Sequence, residues 1–281
     1  MTSALFCFGL GYSAGFLARI LAPKGWTIIG TSRDGSAAPF PLERFDREHR
    51  LPNAAASLAG ATHLLISIPP DAAGCPVIDC HGADIAAARG LRWIGYLSST
   101  NVYGDRGGAW VDETSPLAPS GERGRRRVAA EAKWLELGRR TGVPVQIFRL
   151  AGIYGPQRSP LDALRAGTAR RIVKPDQVFS RIHVADLAAA LAASMARPRA
   201  GAIYNICDDT PAPPDEVITY AASLLGIEPP PLEDFATAVL SPMAKSFYDD
   251  SKRVANRRMK DELGVTLRYP SYREGLAALL T

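Results

Sequence analysis

The chain has 281 residues, of which 47% are apolar and 22% charged. This is ordinary globular usage and long enough for one α/β domain with a smaller appendage. Its 33 basic and 28 acidic residues give a net charge of +5, which admits an anionic ligand without requiring nucleic acid, because acids are spread along the whole chain. Four cysteines in a chain this long argue against a disulfide framework, and no apolar run reaches the length of a membrane span.

The N-terminal stretch "MTSALFCFGLG" has no basic segment before its apolar run, so no signal peptide is expected and the cytoplasm is the default compartment. "ALFCF" (4–8) reads as a buried strand. Directly after it come Gly9-x-Gly11-x-x-Ala14 and a helix over 14–22 with Ala14, Leu17, Ala18 and Leu21 on one stripe. A glycine loop between strand and helix is the dinucleotide-binding pattern. Gly9 would permit the tight turn, Gly11 would let the backbone approach a pyrophosphate beside Tyr12, and Ala14 would let the helix pack closely.

The second strand, "TIIGT" (27–31), ends in Thr31, Ser32 and Arg33. Hydroxyls and a guanidinium suit a ribose 2′-phosphate, so NADP is favoured over NAD. Asp34 is the contrary feature, one residue from the place of an acid that would hold a free 2′-hydroxyl.

"HLLISI" (63–68) is a further strand, ended by Pro69 and Pro70, which cannot donate backbone bonds. Cys75 and Cys80, with His81 beside the latter, lack further metal ligands, and no metal is expected. "WIGYLS" (93–98), "VQIFRL" (145–150) and "AIYNIC" (202–207) complete the strands, with Ala/Leu-rich helices over 125–139 and 185–196. Short, uniformly apolar strands alternating with helices imply a doubly wound parallel sheet covered on both faces. After about residue 208 prolines cluster and shorter helices are expected over 214–225, 251–263 and 271–280. The expected organisation is a dinucleotide-binding domain, 1–155 and 181–207, with a smaller substrate lobe, 156–180 and 208–281.

"GYLSSTNVYG" (95–104), taken with the glycine loop, resembles the extended and atypical short-chain dehydrogenase/reductases, the NAD-dependent epimerase/dehydratases. The likeness continues through "VDETSPLAPS" (111–120), "RLAGIYGP" (149–156), "RIHVADLAAAL" (181–191), "GAIYNICDD" (201–209) and "LGVTLRYPSYREGL" (263–276). It implies a Rossmann-type α/β fold and a nicotinamide cofactor. It also implies that Asp46 reaches the adenine and that Ser67, Ile68 and Pro69 lie along the cofactor. Ser99 falls on the family's catalytic Ser/Thr, and Thr100 and Asn101 on the acid and base positions of dehydratases. Tyr103 and Tyr154 are expected at the cleft floor, and Arg181 toward an anionic substrate; Lys174, Arg170 and Arg171 read equally as substrate-facing or solvated. Gly152 stands where the family often has an asparagine that touches substrate. His183 and Asp186 are expected to tie strand to helix. Helices near 82–89 and 124–140 would pair in a homodimer.

The family's Tyr-x-x-x-Lys falls on Arg123 and Arg127, with Glu131 in register, and no tyrosine occurs between Gly104 and Gly152. Arg127 can replace the lysine as a cation, but Arg123 cannot replace a phenol, because guanidinium does not deprotonate in proteins. It can instead grip a carboxylate or phosphate; a plain surface cluster with Glu122 is the bland alternative. The expected activity is therefore that of an NAD(P)-binding epimerase/dehydratase-like oxidoreductase, acting on an anionic or sugar-like small molecule. A non-catalytic NADP(H) sensor is the rival.

Overall fold

The structure is a computed structural model and describes residues 3–34 and 39–280. Its centre is a seven-stranded, all-parallel sheet. In chain order the strands are β1 (Ala4–Phe8), β2 (Thr27–Ser32), β3 (Leu42–Arg44), β4 (His63–Ile66), β5 (Trp93–Ser99), β7 (Val145–Leu150) and β11 (Ile203–Ile206), the intervening numbers belonging to short strands outside the sheet. Their spatial order is β11-β7-β5-β4-β1-β2-β3. The order reverses between β1 and β4, and the crevice beyond their C-terminal ends is where such sheets bind ligands.

Helices cover both faces, as the runs of apolar residues require. On one side α1 (Tyr12–Leu21) packs against α6 (Val184–Ala196), burying Leu17, Ala18 and Leu21 with Leu187 and Leu191. On the other, α2 (Ala54–Ala59), α3 (Pro76–Ala87) and α4 (Glu122–Thr141) bury Leu58, Val77, Ile85 and Trp134 against the sheet. The Trp134 ring stacks on Tyr96 of β5 at 6.1 Å. A separate cluster holds α5 (Pro160–Arg165), α7 (Pro214–Leu225) and α10 (Tyr272–Ala277) together through Leu161, Leu164, Val217, Ala221 and Leu276.

The remaining strands are short parallel pairs. β8 (Gly152–Tyr154) lies beside β10 (Arg181–His183), β9 (Arg171–Val173) beside β12 (Leu232–Asp234), and β6 (Trp110–Val111) beside β13 (Arg253–Val254). α8 (Pro242–Tyr248) precedes β13 and α9 (Arg257–Leu263) follows it.

The helix expected over 251–263 therefore begins only at Arg257. Residues 252–255 run extended because the N–H groups of Arg253 and Ala255 donate to the carbonyls of Ala109 and Val111, pairing that a local sequence pattern does not reveal. His183 accepts from the N–H of Ala185, and the Asp186 carboxylate accepts from the N–H groups of Arg268 and Tyr269, so this pair fixes the first turn of α6. Among the described residues no helix is long and apolar enough to cross a membrane.

Candidate active site

At the end of β1 the chain turns through Gly9, whose φ of +86° favours glycine and whose Cβ would come 2.9 Å from the Ile68 side chain. Gly11 differs. Its backbone suits any residue, and a Cβ built on it meets nothing within 4 Å. Neither conformation nor packing among the described residues calls for glycine there. Its effect is to leave bare backbone at the start of α1, which has no side-chain cap and no acid in its first turn. Uncapped N–H groups at the positive end of a helix fit a pyrophosphate. Thr31 fixes this loop to β2, its hydroxyl accepting from the Gly9 N–H at 3.0 Å and its carbonyl from the Leu10 N–H at 2.8 Å.

At the tip of β2 the Ser32 hydroxyl donates to the Asp34 carboxylate at 3.2 Å, and Arg44 of β3 donates to the Arg33 carbonyl at 3.1 Å. Two guanidinium groups, Arg33 and Arg44, thus belong to neighbouring strand tips. Asp46 caps its own turn. One carboxylate oxygen accepts from the N–H groups of Glu48 and His49, both at 2.8 Å. The His49 ring bond, foremost, holds this carboxyl below the usual range.

A cleft of about 780 Å³ opens at the C-terminal ends of the strands. Tyr12, Ser67 and Pro69 line its glycine-loop side; Ser99, Thr100 and Asn101 line the end of β5; Arg123 and Arg127 line it from α4, and Arg181 from β10. Gly124 explains how α4 comes so close: a Cβ there would sit 2.7 Å from the Asn101 carbonyl oxygen and 2.6 Å from Pro119. The first turn of the helix therefore rests directly on the segment after β5. Ser99 caps that segment by accepting the Asn101 N–H at 3.3 Å, which leaves its own O–H available to a ligand.

Three arginines of α4 separate by role. Arg127 donates to the Leu97 carbonyl and the Tyr96 hydroxyl and lies over the Tyr96 ring. Arg125 pairs with Glu122 at the surface, at 2.6 Å. Arg123 is exposed, lines the cleft, and makes no side-chain hydrogen bond or ion pair among the described residues. Glu131, in register with them, is buried beneath the site. It accepts from the Ser98 hydroxyl at 2.5 Å and pairs with Arg149 at 2.8 Å, both side chains of the pair being 4% exposed or less. Arg149 also donates to the Tyr103 hydroxyl, which donates to Asn205.

Tyr103 is thus fully buried below the cleft, and burial pushes its phenol up to about 12. Tyr154 donates to the Ser271 carbonyl and is likewise pushed upward by burial. Neither is placed to exchange protons near neutrality. Arg170 pairs with Glu233, Arg171 donates to Thr219, and Lys174 bonds the Tyr248 carbonyl; none of the three lines the cleft. Sequence reasoning missed Phe179, Tyr248, Arg158 and Lys252, which do line it. They come from short segments with no periodic signal, and the last lay inside a stretch read as helix.

The sequence profile described as the NAD dependent epimerase/dehydratase family matches residues 83–207. Protein YeeZ of Escherichia coli strain K12 is 33% identical, the alignment covering 93% of this chain and 94% of that one. Among solved structures, a functionally unknown conserved protein from Silicibacter pomeroyi DSS superposes with a TM-score of 0.90 at 53% identity, covering 99% of this chain and 98% of the other. MoeE5 in complex with UDP-glucose and NAD gives a TM-score of 0.79 at 21% identity, covering 99% and 97%, a likeness of fold.

Proposed function

Because this chain belongs to the NAD dependent epimerase/dehydratase family, we propose that it binds a nicotinamide dinucleotide across the ends of β1 and β4 and oxidises or reduces a small anionic substrate. Gly11 is the observation that carries the reading: the chain keeps bare a helix start that its own packing leaves free. Tyr12, Ser67 and Pro69 would flank the dinucleotide and Ser99 would reach the nicotinamide end. The cofactor, when bound, supplies the hydride chemistry.

The protein's own groups do the rest. Ser99 donates a hydrogen bond to the reacting oxygen. Arg127, held on β5 by Leu97 and Tyr96, adds positive charge close by. Arg123 grips the substrate's anionic group with its fork of donors. Ser32, Arg33 and Arg44 favour NADP over the NAD named with MoeE5, since an added 2′-phosphate meets guanidinium groups. Arg33→Ala is expected to narrow an NADPH-over-NADH preference by about ten-fold, near 1.4 kcal/mol, in a fluorescence titration.

Arg123 in place of a titrating phenol also favours a second reading, a sensor that binds NADP(H) without turnover. A panel of carbonyl and alcohol substrates, half of them carboxylates or phosphates, separates the two. The enzyme reading expects nicotinamide absorbance to change with an anionic member, and the sensor reading expects binding and no change with any.

A further inference from the structure

A cleft that moves hydride also has to move a proton, and the position that usually titrates holds Arg123. The other cleft guanidiniums, Arg127, Arg158 and Arg181, have N–H donors and no acceptor. Of the two phenols there, Tyr12 donates its proton to the Pro156 carbonyl at 3.0 Å. Burial raises the Tyr248 phenol, further from a working range. What remains is the ion pair of Asp250 and Lys252, of which the amine is the donor. Lys252 lines the same cleft as Ser99 and Arg123 although it is only 7% exposed.

Its backbone is firmly held. The Ser251 N–H donates to the Asp105 carboxylate at 2.8 Å, and the Ser251 carbonyl accepts from Arg106 and Gly108, both at 3.0 Å. On the far side the Val254 N–H donates to the Ser180 hydroxyl at 3.0 Å. Among the described residues the ammonium has one hydrogen-bond partner, an Asp250 oxygen at 3.1 Å, and the second Asp250 oxygen is buried with none. A buried ammonium with one hydrogen-bonded partner in a ligand cleft is poorly explained as a fastening for a chain that is already pinned on both sides.

We propose that Lys252 is the proton carrier of this cleft, giving its Nζ proton to the substrate oxygen as that oxygen becomes an alkoxide. The proposal rests on the oxidoreductase reading above. In the reducing direction hydride from a reduced nicotinamide adds to a carbonyl carbon, and the π pair moves to oxygen. The Nζ–H bond breaks as the O–H bond forms, and the neutral amine regains a proton from solvent; oxidation is the reverse. Burial lowers the Lys252 pKa against the opposing pull of Asp250 and Asp105, and Arg106 lowers it further. From the other walls Arg123 and Arg127 of α4 and Arg181 of β10 line the cleft with the same positive sign. These fields favour a proton that leaves readily.

The test needs no substrate. Pyridoxal 5′-phosphate, an anionic aldehyde, forms an imine with a neutral amine and releases water, and borohydride fixes the product for peptide mass spectrometry. At neutral pH Lys252 is expected to take at least ten times the label of the exposed Lys24 and Lys245. In a parallel NMR titration of the protein with 13C-methylated lysines, the resonance lost in Lys252→Gln is expected to titrate below all the others. Labelling of Lys252 no faster than of Lys24, or titration together with the surface lysines, would overturn the proposal. Lys252→Arg keeps the charge and the Asp250 partner, and is expected to lose the label while binding NADPH like the wild type. Failure of the wild type to bind any nicotinamide nucleotide overturns the oxidoreductase reading instead, and with it the role in hydride transfer.

Discussion

Arg123 contributes nothing visible to holding the fold, and Arg127 does. The two sit one turn apart on α4, yet one guanidinium is bonded to β5 and the other ends in the cleft. Arg123→Ala is accordingly expected to leave stability within about 0.5 kcal/mol and to weaken binding of carboxylate or phosphate ligands by ten-fold or more, since a charged hydrogen bond contributes about 1.5–3 kcal/mol; calorimetry with and without the substitution reads both. The spacing of these arginines was legible in the sequence, because i and i+4 share a helix face. The difference between them was not, since it depends on which of the two meets the Leu97 carbonyl. Glu131 was in the same position. Its register with the arginines was visible, but its buried pairing with Arg149, across 18 residues of sequence, was not.

At the scale of elements, the contact of α4 with the segment after β5 decides the site. Gly124→Val would drive side-chain carbons into the Asn101 carbonyl and Pro119, so overpacking of about 1–3 kcal/mol is expected. The same shift moves Arg123 and Arg127 away from Ser99. Urea unfolding would register the first effect and loss of anion affinity the second. Six of the seven strands of the sheet and α1 were readable because a strand buried on both faces is a short apolar run and α1 carries a clear stripe; β3, three residues with none buried, was not. β13 was not, as two residues paired to β6 leave no pattern, and with it went the location of Lys252. Thr31 was seen only as a strand-tip hydroxyl; its grip on the glycine loop needs β1 and β2 side by side.

A few buried groups make the stability of the whole molecule depend on pH. His63 and His183 are held down to about 4 by burial. Unfolded histidine titrates near 6.5, so the stability these neutral rings keep is lost as pH falls from about 6.5 to about 4. Asp208 acts oppositely: burial pushes its carboxyl up to about 7, so the folded state holds a proton that the unfolded chain releases, and stability declines as pH rises from about 4 toward 7. Asp208→Asn is expected to remove that decline, so that the melting temperature of the variant gains on the wild type between these limits.

Binding of the proposed cofactor would also act on the whole fold, because a ligand that binds only the folded chain raises its melting temperature; at one hundred times the Kd it adds about 2.7 kcal/mol. The most direct test of the account is the thermal shift with NADPH, NADP⁺, NADH and NAD⁺ for the wild type and for Gly11→Val, whose added carbons enter open space at the start of α1. The account predicts a clear shift for the wild type, largest with the phosphorylated pair, and its loss in a variant that melts at the same temperature without ligand. An equal shift in both proteins, or none in the wild type at millimolar nucleotide, would contradict it.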